Sequence, residues 1–329
     1  MTDLSVLVIG AGSIGERHAR CFLQAAIKRV SICEPREQRR SELKESYPFE
    51  ALYGSFDEAP LQEIDAVVVC VPAHLHVPLA TRALEAGCHV LCEKPLAITM
   101  QDADHLLEVA AKSDRVAGVA YVYRSIPACI RIREHIRSGI IGPVRQVTLV
   151  SGQEFPKFRP DYREIYYKSH ASGGGAIQDA LSHMVNFVQW CIGLEEYVYA
   201  SADHLVLEGV EVEDTASVFL RTPDKYQASF TINQFQKNNE NYFKFVGEEG
   251  TLVYDIDGWK VGLFKDDEWS WEEFPIERDD MYIAQAKNFI AAIEGREPVK
   301  CTLEDGYETL RTIQTALQCV QVKHEIKVR

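Results

Sequence analysis

The chain is 329 residues long, more than a single hydrophobic core usually organises, so two domains are expected. Its composition, 46% hydrophobic and 26% charged, is that of an ordinary globular protein. With 35 basic against 49 acidic residues the net charge is −14, which argues against nucleic acid or an anionic membrane as partner. A phosphate-bearing cofactor stays open, because helix N-termini bind phosphate inside acidic proteins too.

In chain order, Leu4 to Ile9 is an unbroken apolar run that predicts a buried strand, and Ser13 to Ala26 predicts a helix. Arg29 to Cys33 reads as a second strand and Arg36 to Ser46 as a polar helix. Ala66 to Val71 is β-branched without alternation, as in a strand covered on both faces. His74 to Ala86 is a helix stopped by Gly87, and His89 to Cys92 a further strand. Thr99 caps a helix to Lys112, and Arg115 to Ala120 is a strand. Strands alternating with helices of this length imply a parallel, doubly wound sheet.

From about Tyr121 the rhythm changes. A helix over Ile126 to Ser138 and a strand over Val144 to Ser151 lead into a polar, aromatic stretch, Phe155 to Ser172, and then Gly173-Gly174-Gly175. A helix to Cys191 follows, closed by Gly193. Tyr197 to Trp271 runs strand after strand with alternating polarity, the pattern of an antiparallel sheet with one face open. Helices return at Met281 to Glu294 and Leu303 to Val322. The expected division is 1–121 for the first domain and 122–329 for the second, with the C-terminal helix free to pack back on the first.

No apolar run is long enough to span a bilayer, and Met1-Thr2-Asp3-Leu4 lacks the basic start of a signal peptide. The nine cysteines are scattered, without metal-ligand spacing, so free thiols in a reducing cytoplasm and no metal site are expected.

Gly10-Ala11-Gly12-Ser13-Ile14-Gly15 directly follows the first strand and opens the first helix. In that context the glycines have separate uses. Gly10 permits the tight turn, Gly12 lets the backbone approach a pyrophosphate, and Gly15 lets helix and sheet pack closely. Free amides at the helix start, with Ser13 and Ile14, then face the phosphates. Glu34 ends the second strand, nineteen residues after Gly15, near the ~20 at which a carboxylate binds the ribose hydroxyls. It favours NAD, whereas Arg36, Arg39 and Arg40 leave NADP open unless they are a solvated helix face.

Further motifs follow in order: Val71-Pro72-Ala73-His74-Leu75-His76, then Glu93-Lys94-Pro95, then Gly173-Gly174-Gly175-Ala176-Ile177-Gln178-Asp179 with His183 four residues on. In this order and spacing the chain resembles the Gfo/Idh/MocA oxidoreductases, over nearly its whole length. The resemblance implies an N-terminal Rossmann domain with a doubly wound parallel sheet. It implies a C-terminal α+β domain whose large, mostly antiparallel, open-faced sheet builds homodimers or homotetramers. The implied reaction is reversible oxidation of a secondary alcohol on a sugar, sugar acid or cyclic polyol by NAD(P), with Lys94, Asp179 and His183 as the catalytic lysine, aspartate and histidine. His76 matches a family position, Pro72 and His74 follow the third strand where the chain would pass under the cofactor, and Glu93 and Lys94 are further candidate cofactor contacts. Leu181 stands where the family often has glycine, which implies a narrower pocket.

The residue types suit that chemistry. Asp179 and His183 are i and i+4 on one expected helix and would share a face. A hydride leaves a carbinol carbon only as the hydroxyl loses its proton, and a neutral histidine suits that base role. A lysine ammonium stabilises the developing alkoxide, and an aspartate orients either partner. The three glycines are expected to let the backbone approach a ligand. Arg124 after the fifth strand, and Tyr162 with Arg163 in the aromatic stretch, are candidate substrate contacts for a polyhydroxylated or carboxylated ligand. His170 is expected at the surface. Two alternatives share the motifs: a tightly held NAD used in an internal redox cycle, as in glycosidase-like or sugar–sugar chemistry, and a non-catalytic NAD sensor.

Overall fold

The computed structural model describes residues 3–256 and 258–322, which form two units. The first runs from the N-terminal strand to Ser125 and also takes in Glu277–Tyr307; the second takes Ile126–Ile276 and, among the described residues, 308–322.

The first unit holds a six-stranded parallel sheet: β1 (Ser5–Ile9), β2 (Arg29–Cys33), β3 (Leu52–Tyr53), β4 (Ala66–Val69), β5 (His89–Cys92) and β6 (Ala117–Val119). Their spatial order is β3-β2-β1-β4-β5-β6. β1 is central, with Val6 opposite Val30 on one side and Ala66 on the other. All five of its residues are buried, as a strand covered on both faces must be. The helix Ser13–Gln24 buries His18, Ala19 and Phe22 against this sheet, and Thr99 Oγ1 caps the helix Met100–Ala110 by accepting Asp102 N–H at 3.1 Å. The order turns between β1 and β4, the switch point at which such sheets bind ligands beyond their carboxyl ends.

The first compact unit differs from the expected 1–121 in where it ends and in what it includes. It ends at Ser125, and a later segment belongs to it. The helix Asp280–Ile293 brings Ala286, Phe289 and Ile290 into the same core as Phe22, with the Phe22 and Phe289 rings 6.5 Å apart and edge to face. Arg17 and Arg20 both bind Asp279, and Val119 N–H donates to Cys301 O at 3.0 Å. Periodicity identifies a helix but not which core it completes.

The second unit is built on eight strands: β7 (Val144–Glu154), β8 (Tyr197–Asp203), β9 (Thr215–Thr222), β10 (Tyr226–Asn233), β11 (Phe235–Gly247), β12 (Thr251–Asp255), β13 (Lys260–Lys265) and β14 (Glu268–Glu273). They lie in the order β14-β13-β12-β11-β7-β10-β9-β8, antiparallel except for the parallel pair β7 and β10. Phe243 and Phe245 on one face meet Phe187 of the helix Ser182–Ile192 edge to face, at 5.5 and 5.9 Å. The other face carries Tyr197, Tyr199, Trp269 and Trp271, all exposed.

Among the described residues no helix is long and apolar enough to cross a membrane, and no group of three or more His, Cys, Asp and Glu is arranged to hold a metal. The nine cysteines are all free.

Candidate active site

The glycine loop fits a pyrophosphate. A Cβ on Gly10, whose φ is +86°, would lie 2.6 Å from Cys70 O, and one on Gly15 would lie 1.8 Å from Gly10 O. These two glycines fold the turn onto itself. Gly12 has nothing within 4 Å of its would-be Cβ, so the loop is open at the one position where a ligand must come close. Ser13 begins the helix, exposed, with Ile14 half-buried behind it, so the amides of the first turn stand at the loop.

Glu34 is 2% exposed and accepts from Ala11 N–H (3.0 Å), Arg36 N–H (3.0 Å) and Arg36 Nε (2.7 Å). Burial raises its carboxyl pKa, but Arg36 and the two amides outweigh burial and hold it below the usual carboxylate range. Arg39 donates to Ala11 O at 3.1 Å and Arg40 to Glu34 O at 2.7 Å. Arg36 and Arg40 therefore hold the end of β2 and Arg39 reaches the glycine loop, so the three are not a merely solvated helix face. Arg36 is the most exposed of them, with 64% of its side chain open to solvent.

Lys94 follows β5 and is half-buried; the Lys94–Pro95 peptide is cis. Glu93 beside it is buried, and its carboxylate takes His18 Nε2 at 2.7 Å and Lys94 N–H at 3.0 Å. Burial raises the Glu93 pKa, while His18 and Lys94 together lower it further, so the group stays ionised. Glu93 thus joins the glycine-loop helix to the backbone of Lys94 and faces inward.

His76 is corrected: it is 1% exposed, and its ring nitrogens lie 2.8 Å from Pro95 O and 2.8 Å from Val71 O. It ties the two loops that carry Pro72 and Lys94, and burial holds its pKa down. Pro72 and His74 stay exposed in the turn after β4. Arg124 is corrected too. It is 3% exposed and donates to Lys300 O at 2.8 Å and Asp305 at 2.7 Å, bracing the first unit.

In the second unit Asp179 is 8% exposed and His183 half-buried. They do not share one regular helix. Asp179 lies in a π-helical segment, Ala176–Leu181, and His183 in the first turn of the α-helix that follows. Such π turns are rare and frequent at functional sites. Tyr166 Oη donates to Asp179 Oδ1 at 3.0 Å. Leu181 is fully buried, so it packs into the core and does not narrow an open pocket.

The glycine run serves the protein's own packing. A Cβ on Gly174 would lie 2.0 Å from Tyr167 O, and one on Gly175, with φ +95°, 2.6 Å from Glu213 Oε1. Tyr162 is 2% exposed in a cluster with Phe155 and Tyr167 and donates to Glu208 O at 2.9 Å, so it is a core residue. Arg163 is exposed, donates to the same carbonyl at 2.9 Å, and lies over the Tyr162 ring. Sequence reasoning missed His18, Asp279 and Glu213, while His170, expected at the surface, is exposed and meets Glu213.

Residues 4–121 match the oxidoreductase family with an NAD-binding Rossmann fold, GFO_IDH_MocA, and residues 129–253 match the GFO/IDH/MocA C-terminal domain. The chain belongs to the Gfo/Idh/MocA oxidoreductase family. This Gfo/Idh/MocA member is 28% identical to a myo-inositol 2-dehydrogenase of Thermotoga maritima, over 98% of the chain and 97% of that protein. It is 26% identical to a levoglucosan dehydrogenase of Pseudarthrobacter phenanthrenivorans, over 78% and 75%. Its fold matches a levoglucosan dehydrogenase in complex with NADH and levoglucosan at a TM-score of 0.89, with 21% identity over 98% of both chains. The family's first domain is an NAD-binding Rossmann fold.

Proposed function

We propose that this protein is an NAD-dependent dehydrogenase for a secondary alcohol of a sugar, sugar acid or cyclic polyol. One observation carries the reading. A buried aspartate and a half-buried histidine flank a π-to-α helical junction, in a chain that also has Lys94 fixed at a parallel strand's carboxyl end. Its relatives named as inositol and levoglucosan dehydrogenases support the substrate class. The nicotinamide, when bound, supplies the hydride acceptor or donor. Every other step belongs to side chains. His183 takes the hydroxyl proton as the carbon gives up its hydride, and returns it in the reverse direction. The Lys94 ammonium stabilises the developing alkoxide, and its loop is fixed by Glu93, His18 and His76. Asp179, held by the Tyr166 hydroxyl, orients a partner, and Arg163 is an exposed cation suited to a carboxylated or polyhydroxylated substrate.

NAD is the preferred dinucleotide because Glu34 repels a 2′-phosphate, and Arg36 allows some use of NADP. We place the protein in the cytoplasm on its free thiols, and as a homodimer or homotetramer through the open sheet face. The test is a reduction screen with NAD and NADP over sugars, inositols, sugar acids and amino sugars. Turnover on at least one class with freely exchanging NAD is expected. Co-purified, non-exchanging NAD would favour an internal redox cycle, and NAD binding without any turnover would overturn the dehydrogenase reading.

A further inference from the structure

Glu213 sits in the second unit, outside every motif that led to the proposed site. It is 8% exposed and has no role in the sheet beyond preceding β9. Its contacts run to one place. Its backbone carbonyl accepts Ala176 N–H at 3.0 Å, and its Oε1 accepts Ile177 N–H at 2.8 Å, so one residue satisfies two amides of the first turn that carries Asp179. Its other oxygen meets His170 Nε2 at 2.5 Å. Gly175 makes room for the carboxylate, since a Cβ there would lie 2.6 to 2.9 Å from its atoms. The segment that holds His170 also holds Tyr166, whose hydroxyl binds Asp179. Ser172 Oγ closes it by donating to Tyr166 O at 2.6 Å, and Gly174 N–H donates to Ser169 O at 2.9 Å.

We infer that Glu213 and His170 form a positioning clip for Asp179 and His183. Glu213 anchors the start of the π-helical turn, His170 clamps Glu213, and Tyr166 from the same segment fixes the Asp179 carboxylate. A π turn, bonded i to i+5, is wider than an α turn and occurs mostly as a single turn, frequently at functional sites. The anchor is ionic as well as geometric, because a carboxylate at a helix N-terminus is favoured by the helix dipole. Loss of the clip moves the acid–base pair without touching the glycine loop or Glu34. The inference rests on the dehydrogenase reading for its effect on turnover, but not for the anchor itself.

The test compares Glu213→Ala, Glu213→Gln, His170→Gln and His183→Ala in the whole chain. In Glu213→Ala, kcat is expected to fall about a hundredfold, the scale of a displacement near 1 Å, while NAD binding is unchanged. Glu213→Gln keeps an acceptor for Ile177 N–H and is expected to recover part of that loss, and His170→Gln to lie nearer the wild type. Amide exchange at Ala176 and Ile177, which needs no substrate, is expected to rise about tenfold or more in Glu213→Ala as the turn opens locally. Turnover that survives His183→Ala overturns the dehydrogenase roles. Turnover that falls with His183→Ala but not with Glu213→Ala overturns the clip alone. Unchanged exchange in Glu213→Ala overturns the anchor, and if Glu213→Ala does not fold, wild-type kcat in both Glu213→Gln and His170→Gln overturns it equally.

Discussion

Single side chains decide two of the predictions. Replacement of His183 by Ala is expected to reduce kcat about a hundredfold or more, the usual size of general acid–base catalysis, with NAD affinity unchanged in a fluorescence titration. Glu34→Ala is expected to shift the NAD to NADP ratio of kcat/KM toward NADP, since the variant loses the carboxylate that Ala11 N–H and Arg36 now hold. An unchanged ratio would remove Glu34 from the ribose. At this scale the sequence was uneven. Gly10, Gly12 and Gly15 were legible because their pattern follows from backbone geometry alone. His76, Arg124 and Tyr162 were misread because their residue types suit ligands, while burial, which no single sequence reports, commits them to carbonyls of the protein itself. Glu213 was invisible for the converse reason: its partners lie 36 and 43 residues away.

Elements were more legible than residues. Continuous apolar runs marked the parallel strands and alternation marked the antiparallel ones, because burial on two faces or one leaves that trace directly in the order of side chains. The Thr99 cap was read from its hydroxyl and confirmed at Asp102 N–H. The π segment left no such trace, since its residues are as apolar as any α-helix. Close packing of the glycine-loop helix gives an element-scale prediction. Gly15→Ala places a methyl where Gly10 O now lies, so it is expected to cost about 1–3 kcal/mol, the range for overpacking, and to weaken NAD binding at the same time. Thermal unfolding and NAD titration of that variant check it, and an unaltered midpoint and affinity would show that the turn can shift freely.

For the whole molecule, the exposed aromatic residues at the two edges of the eight-stranded sheet matter most. Tyr199 on β8 is 56% exposed and Trp271 on β14 is 50% exposed, with Trp269 stacked 5.4 Å from Trp271. Large apolar groups left on one face of a sheet mark an association surface. Light scattering is expected to give a dimer or tetramer mass for the wild type and a lower mass for Tyr199→Lys combined with Trp271→Lys. A wild-type monomer would overturn assembly through this face.

The first unit also has a history imposed by its connectivity. Its sheet is encoded by Ser125, but Phe289, Ile290 and the Asp279 anchor of Arg17 and Arg20 arrive about 150 residues later. At about 5–20 residues per second of synthesis, the nascent sheet waits roughly 8–30 s with one side of its core uncovered. A fragment ending at Tyr121 is therefore expected to show no cooperative unfolding and no NAD binding. A fragment that binds NAD as the whole chain does would show that the late helix only decorates a finished fold. During biosynthesis the cofactor-binding half, although first in the chain, would be among the last parts to become native, and until then it would depend on whatever shields its open core.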